Sequence, residues 1–149
     1  MQGHRGASAA RLAGIVALVV DDFSTMRRII SALLKDLGCE RVIEAEDGIE
    51  ALRVLENQTV HLIVSDWSMP RMTGIELLTS IRTHARLGTL PFLMVSAEGS
   101  RENIVQAARG GADGYIVKPF TSAVLGDKVE LVLRKRAAAA ADAPVPAAA

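Results

Sequence analysis

Four short stretches of this chain are apolar at every position: Ile15–Val20, Leu62–Val64, Phe92–Val95 and Tyr115–Val117. A strand with one wetted face alternates apolar and polar residues, and none of these stretches alternates. Each is far shorter than the ~20 residues that a membrane-crossing helix needs. They fit a sheet covered by helices on both faces, and the segments between them carry helical periodicity.

The clearest helical period is Met26, Ile29, Ile30, Leu33, Leu34 and Leu37, which predicts one inward face, with Ser24 as N-cap and Gly38 just past the end. A short strand follows at Val42–Ala45, then a helix from about Gly48 to Asn57 with Ile49, Leu52 and Leu55 inward. Thr73-Gly74-Ile75-Glu76 reads as a capping box opening a third helix. A fourth helix spans about Arg101–Arg109 and stops at Gly110-Gly111. Thr121 caps a last helix that buries Val124, Leu125, Val129, Val132 and Leu133. Strand and helix thus alternate five times. Right-handed crossovers turn that alternation into a doubly wound α/β domain, a flavodoxin-like five-stranded parallel sheet of order 2-1-3-4-5 with five helices. Residues 1–13 read as a flexible leader and 137–149, rich in Ala and Pro, as a disordered tail; Pro144 and Pro146 would stop any helix that the alanines extend.

Charge collects where the apolar stretches end. Asp21 and Asp22 follow the first, Asp66 follows Leu62–Ser65, and Lys118 follows Tyr115–Val117 and precedes Pro119. An acidic pair alone is usually a solvated strand end. Four such groups, each at the carboxyl end of a buried strand, make a pocket at the switch point between the first and third strands. Clustered carboxylates repel unless a cation sits among them, and hard oxygen donors suit Mg²⁺.

Bulk properties exclude several functions. Formal net charge is zero and aromatics make up 3%, which argues against nucleic acid or an anionic membrane as partner. The single cysteine, Cys39, permits no intrachain disulfide and has no paired His, so a cytoplasmic setting is expected and a thiol nucleophile is not. Arg5 and Arg11 ahead of Leu12–Val20 have the outline of a secretory signal, but the run ends in Asp21-Asp22 without a small-residue cleavage site. His4, His61 and His84 lack ligand spacing and read as surface residues, and Arg27-Arg28 reads as a solvated face.

Val-Val-Asp-Asp-Phe-Ser-Thr-Met-Arg-Arg-Ile at 19–29, Ser-Asp-Trp-Ser-Met-Pro at 65–70, Val-Ser-Ala-Glu at 95–98 and Gly-Tyr-Ile-Val-Lys-Pro-Phe at 114–120 resemble the receiver domain of two-component response regulators. The resemblance covers about Ile15 to Arg136 and is strongest to the single-domain chemotaxis type; it implies a receiver domain at 14–136. It also implies that Asp66 accepts a phosphoryl group from a histidine kinase. Mg²⁺ would be held by Asp22, Asp66 and the Ser68 backbone carbonyl, with Asp21 acting through a metal-bound water. Lys118 would pair with a phosphoryl oxygen across a cis Lys118–Pro119 bond, an isomer found in only ~5–6% of X–Pro bonds. Ser96 and Tyr115 would form the switch. A face carrying Arg101, Ile104, Tyr115 and Lys128 would meet the target, which for the chemotaxis type is the flagellar motor switch. A phosphatase is a further implied partner, and the protein is expected to be a monomer.

Three positions depart from the family pattern. Ser96 stands where the chemotaxis type commonly has Thr, and it keeps the hydroxyl. Ser68 replaces a common Asn near the attacking water, which leaves the rate of dephosphorylation open. Thr73 replaces an Asp and caps about equally well. The competing readings are a receiver of another pathway such as twitching motility, an unphosphorylated adaptor, and a Mg²⁺-dependent aspartyl-phosphate phosphatase. Such phosphatases commonly carry a second Asp two residues after the nucleophile, where this chain has Ser68. The readings therefore favour a signalling protein over a turnover enzyme.

Overall fold

The computed structural model describes residues 12–142. Residues 1–11, which include His4 and most of the expected leader, and 143–149, with both prolines of the expected tail, lie outside the described residues.

The chain alternates β1 (Val16–Val20), α1 (Ser24–Asp36), β2 (Arg41–Ala45), α2 (Gly48–Asn57), β3 (Leu62–Asp66), α3 (Gly74–Thr83), β4 (Phe92–Ser96), α4 (Arg101–Gly110), β5 (Gly114–Val117) and α5 (Ser122–Asp142). All strand pairs are parallel and the order is β2-β1-β3-β4-β5, the doubly wound arrangement that the sequence predicts. The pleat sends alternate residues to opposite faces. Leu18, Val20, Ile63, Phe92 and Met94 pack with Leu55, Leu77, Leu78 and Ile81 on the side of α2 and α3. Ala17, Val19, Val64, Leu93 and Val95 pack with Ile30, Leu34, Leu125, Val129 and Val132 on the side of α1 and α5. Both faces are therefore dry, as unalternated strands require. At ~1.5–3 kcal/mol for each large apolar side chain fully buried, these two layers carry most of the folding free energy.

Several local expectations need correcting. Phe23, not Ser24, occupies the N-cap of α1, and no side chain caps that helix. Ile29 is 46% exposed, because only a narrow stripe through Ile30 and Leu34 meets the sheet and Ile29 lies ~100° around the helix from Ile30. Val124 is 42% exposed; it stands on the flank beyond β5, an edge strand with no further sheet to cover it. Leu12, assigned to the leader, is buried in the α1/α5 layer, turned back by the Ile15 N–H donating to the Leu12 carbonyl. The last helix runs on through Asp142, six residues into the expected tail, since alanine favours helix continuation. Arg27 is no solvated residue: its Nε donates to Glu44 Oε1 at 2.8 Å and its Nη1 to the Asp21 carbonyl at 2.8 Å. The capping box at Thr73 and Glu76 is present, and Gly38 and Gly111 adopt the left-handed φ that ends a helix.

Sequence reading missed one charged network. Asp113, before β5, receives Arg82 Nη2 at 3.0 Å, Arg136 Nε at 2.7 Å and the Phe92 N–H at 2.9 Å. Arg82 also donates to the carbonyls of Gly111 and Leu90. These bonds tie α3, β4, β5 and α5 together. Removing Asp113 would leave two guanidinium groups facing each other and strand an inward N–H. Asp113→Ala is expected to lower unfolding free energy by about 3 kcal/mol, read as a shift in urea midpoint at unchanged slope.

Candidate functional site

The sheet brings the sequence-predicted charges to one edge. Asp21 follows β1, its N–H held by the Ala45 carbonyl at 3.1 Å, and Asp66 is the last residue of β3. Lys118 follows β5, its N–H held by the Ser96 carbonyl at 2.8 Å, and the Lys118–Pro119 bond is cis. Because β1 and β3 are neighbours, carboxylate oxygens of Asp21, Asp22 and Asp66 lie within 4.8 Å of one another. Lys118 Nζ sits 3.3 Å from Asp21 Oδ2 and 3.3 Å from Asp66 Oδ1, bridging the two.

The three carboxylates differ in setting. Asp21 is 1% exposed and its Oδ1 accepts the Phe23 N–H at 2.9 Å, so it braces the turn into α1. Asp22 is exposed at the pocket mouth. Asp66 lies between, with Oδ1 accepting the Trp67 N–H at 2.9 Å. Burial, reinforced by the charge of Asp21, raises the Asp66 carboxyl above its ordinary value, and Lys118 only partly offsets this. One ammonium against three carboxylates leaves the cluster short of positive charge. An oxygen-only donor set of that kind fits a hard divalent cation such as Mg²⁺, with Asp22 and Asp66 open to it. Ser68 is exposed in the loop after β3. Gly74 lets that loop close: its N–H donates to the Trp67 carbonyl at 2.8 Å, and a Cβ there would collide with the Asp66 carbonyl.

Ser96 and Tyr115 meet through a residue that sequence reading did not single out. Ser96 Oγ accepts the Glu98 N–H at 3.0 Å, and the Tyr115 hydroxyl donates to the Glu98 carbonyl at 2.6 Å. Both contacts are to backbone, so the identity of Glu98 carries no signal for them. The Tyr115 ring also stands edge-on to Trp67, centroids 6.3 Å apart. Ile104, Tyr115 and Lys128 line one shallow hollow between α4, β5 and α5, while the exposed Arg101 heads α4 outside it. His61 and His84 are exposed and only accept backbone N–H groups, and burial pushes the Cys39 thiol up to about 11, protonated and unreactive at neutral pH.

A sequence profile described as the response regulator receiver domain matches residues 17–130. The chain belongs to the response regulator receiver family. This receiver is 52% identical to the chemotaxis protein CheY of Pseudomonas aeruginosa over 118 residues, 79% of this chain and 95% of that protein. It is 50% identical to CheY-3 of Vibrio cholerae over 79% of this chain and 91% of the relative. Among solved structures it is similar to the chemotaxis response regulator CheY4 of Vibrio cholerae, with a TM-score of 0.75 and 35% identity over 80% of this chain and 98% of that one. The receiver is thus of the CheY type, a chemotaxis response regulator of two-component phosphorelay signalling. Among the described residues, no helix is long and apolar enough to cross a membrane.

The raised Asp66 carboxyl has a consequence for stability. A group whose folded value lies above its unfolded one favours folding when protonated, so its contribution is lost as pH rises through that interval. In metal-free buffer at pH 7, Asp66→Asn is therefore expected to raise the urea midpoint. The gain should shrink as pH falls through the acid range and vanish once Asp66 is protonated in both states. An unchanged or lower midpoint at pH 7 contradicts the electrostatic account.

Proposed function

We propose that this receiver takes a phosphoryl group onto Asp66 from a histidine kinase in the cytoplasm and, so modified, changes its affinity for the flagellar motor switch. The observation that carries the reading is the Lys118 ammonium held 3.3 Å from both Asp21 and Asp66 in a chain of the CheY type. An Asp66 oxygen attacks phosphorus; the bond from phosphorus to the kinase imidazole nitrogen breaks, and its electron pair stays on that nitrogen. The carboxylate is a weak nucleophile towards an anionic centre, so local charge must first be offset. Lys118 offsets part of it and holds a phosphoryl oxygen. Asp22, Asp66 and the Ser68 carbonyl would hold Mg²⁺, with Asp21 behind them through water; bound there, the ion supplies further charge neutralisation.

The readout follows from new acceptor oxygens at Asp66. Ser96 turns its hydroxyl towards them and gives up the Glu98 N–H. Because Tyr115 holds the Glu98 carbonyl, the loop and the ring respond together. Ile104, Tyr115 and Lys128 then present a changed hollow to the target, with Arg101 at its margin.

With a small phosphodonor and Mg²⁺, wild type is expected to incorporate phosphate and Asp66→Asn none; equal incorporation would reject Asp66 as acceptor. In the presence of beryllofluoride and Mg²⁺, affinity for the motor-switch protein should rise roughly tenfold in wild type and much less in Ser96→Ala. An equal rise in both removes Ser96 from the relay.

A further inference from the structure

The loop between β3 and α3, which carries Ser68, is anchored at a point that none of the site residues explains. Arg71 is the one non-glycine residue among those described with a left-handed backbone, φ 66°. Arginine does not favour that conformation, because its Cβ crowds the following carbonyl. What the turn achieves is contact: Arg71 Nη2 donates to Asp47 Oδ2. Asp47 is the N-cap of α2, its Oδ1 accepting the Glu50 N–H at 2.9 Å, and it is 2% exposed. Burial works against an ionised carboxyl there, yet the Glu50 N–H and the Arg71 guanidinium outweigh it and hold Asp47 below the ordinary carboxylate range. The next residue along repeats the contact in apolar form. Met72 lies so close over Gly48 that any Cβ at that position would run into its side chain. Two consecutive loop residues therefore rest on two consecutive residues at the head of α2.

This docking bears on the acidic pocket. The loop runs from Asp66 through Ser68 to Gly74, with one end fixed by the Trp67 N–H on the Val95 carbonyl and by the Gly74 N–H on the Trp67 carbonyl. Met69 is tucked into the core. Thr73 is tied forward to α3 by the capping box, and between Met69 and Gly74 the loop's polar tie to α2 is the pair Arg71–Asp47. Neither partner belongs to the carboxylate cluster, and their opposite charges oppose each other in any field they exert on it, so the pair acts on it chiefly by fixing the backbone.

We propose that Arg71 is a positioning residue: by pairing with Asp47 it fixes the loop that presents the Ser68 carbonyl, and so sets how tightly the pocket binds a divalent cation. The inference rests on the functional reading above, in which the Ser68 carbonyl is a ligand. A loop without this anchor samples conformations that turn the carbonyl away, and each binding event must first restore the docked form.

Mg²⁺ titration of the full chain, followed by the emission of Trp67, tests this. Arg71→Asn keeps a residue that tolerates the left-handed backbone and removes the guanidinium. Asp47→Asn keeps an acceptor for the N-cap and removes the charge partner. Both are expected to raise the Mg²⁺ dissociation constant roughly tenfold, the low end of what outer supports of metal ligands contribute. Arg71→Lys, which keeps the charge, should recover much of the loss. A role confined to stability would shift the urea midpoint of the variants and leave the dissociation constant of the folded fraction alone. Constants within twofold of wild type in both Asn variants overturn the inference. If wild type itself shows no saturable response to Mg²⁺, the functional reading fails, and the inference with it.

Discussion

One ammonium placed between two carboxylates organises the working end of this receiver. Lys118 bridges Asp21 and Asp66 from the end of β5, two strands away from β3 in the sheet. Without it, the carboxyl edge would gather three like charges, one of them almost wholly removed from water. Such a cluster is unfavourable unless countered. Burial, reinforced by the charge of Asp21, keeps the Asp66 carboxyl raised, and one ammonium against three carboxylates leaves a deficit of positive charge that a cation can fill.

That pocket depends on a sheet whose two faces are both dry. Because β1 and β3 are neighbours with α1 on one side and α2 and α3 on the other, the crevice opens only at the carboxyl end. The backbone there is already committed to the ladder, so the loops that leave the strands take their bearings from it. Trp67 and Lys118 each donate a backbone N–H to β4, and Asp21 donates to β2. Asp21, Asp66 and Lys118 are therefore positioned by main-chain bonds at or next to them, independently of their side-chain contacts. The same economy appears behind the pocket, where Glu98 joins Ser96 to Tyr115 through its backbone alone.

Polar groups that hold elements together are as prominent as those at the site. Asp113 gathers Arg82, Arg136 and the Phe92 N–H at the opposite end of the sheet, and Asp47 gathers Arg71 and the first turn of α2. Partly buried ion pairs contribute modestly to net stability, but each leaves a costly unpaired charge if one member is removed. They act as registration devices: α5 is seated against β5 by Arg136, and the loop after Asp66 against α2 by Arg71.

The sequence by itself determined the strands, their order and the charged edge. Unalternated runs such as Leu62–Val64 have no stable placement except between two helical layers, and a residue that ends such a run must lie at the sheet's rim. Asp21, Asp22, Asp66 and Lys118 were legible for that reason, as was the Thr73 capping box, whose partners are three residues apart. Ile29 and Val124 were misread because local periodicity does not reveal how wide a stripe the sheet covers or where its edge falls, and Ser24 because it is already the first helical residue, with Phe23 as the N-cap. Leu12 was misplaced because composition near a terminus does not reveal whether the neighbouring core has room for it, and Ala137–Asp142 because a run of alanines continues a helix that is already formed, even where it is exposed. Only the tertiary structure decided which distant groups meet: Asp113 with two arginines, Arg27 with Glu44, and Arg71 with Asp47. These pairs span 17 to 31 residues. Their energy comes from geometry that exists only once the helices have closed over the sheet.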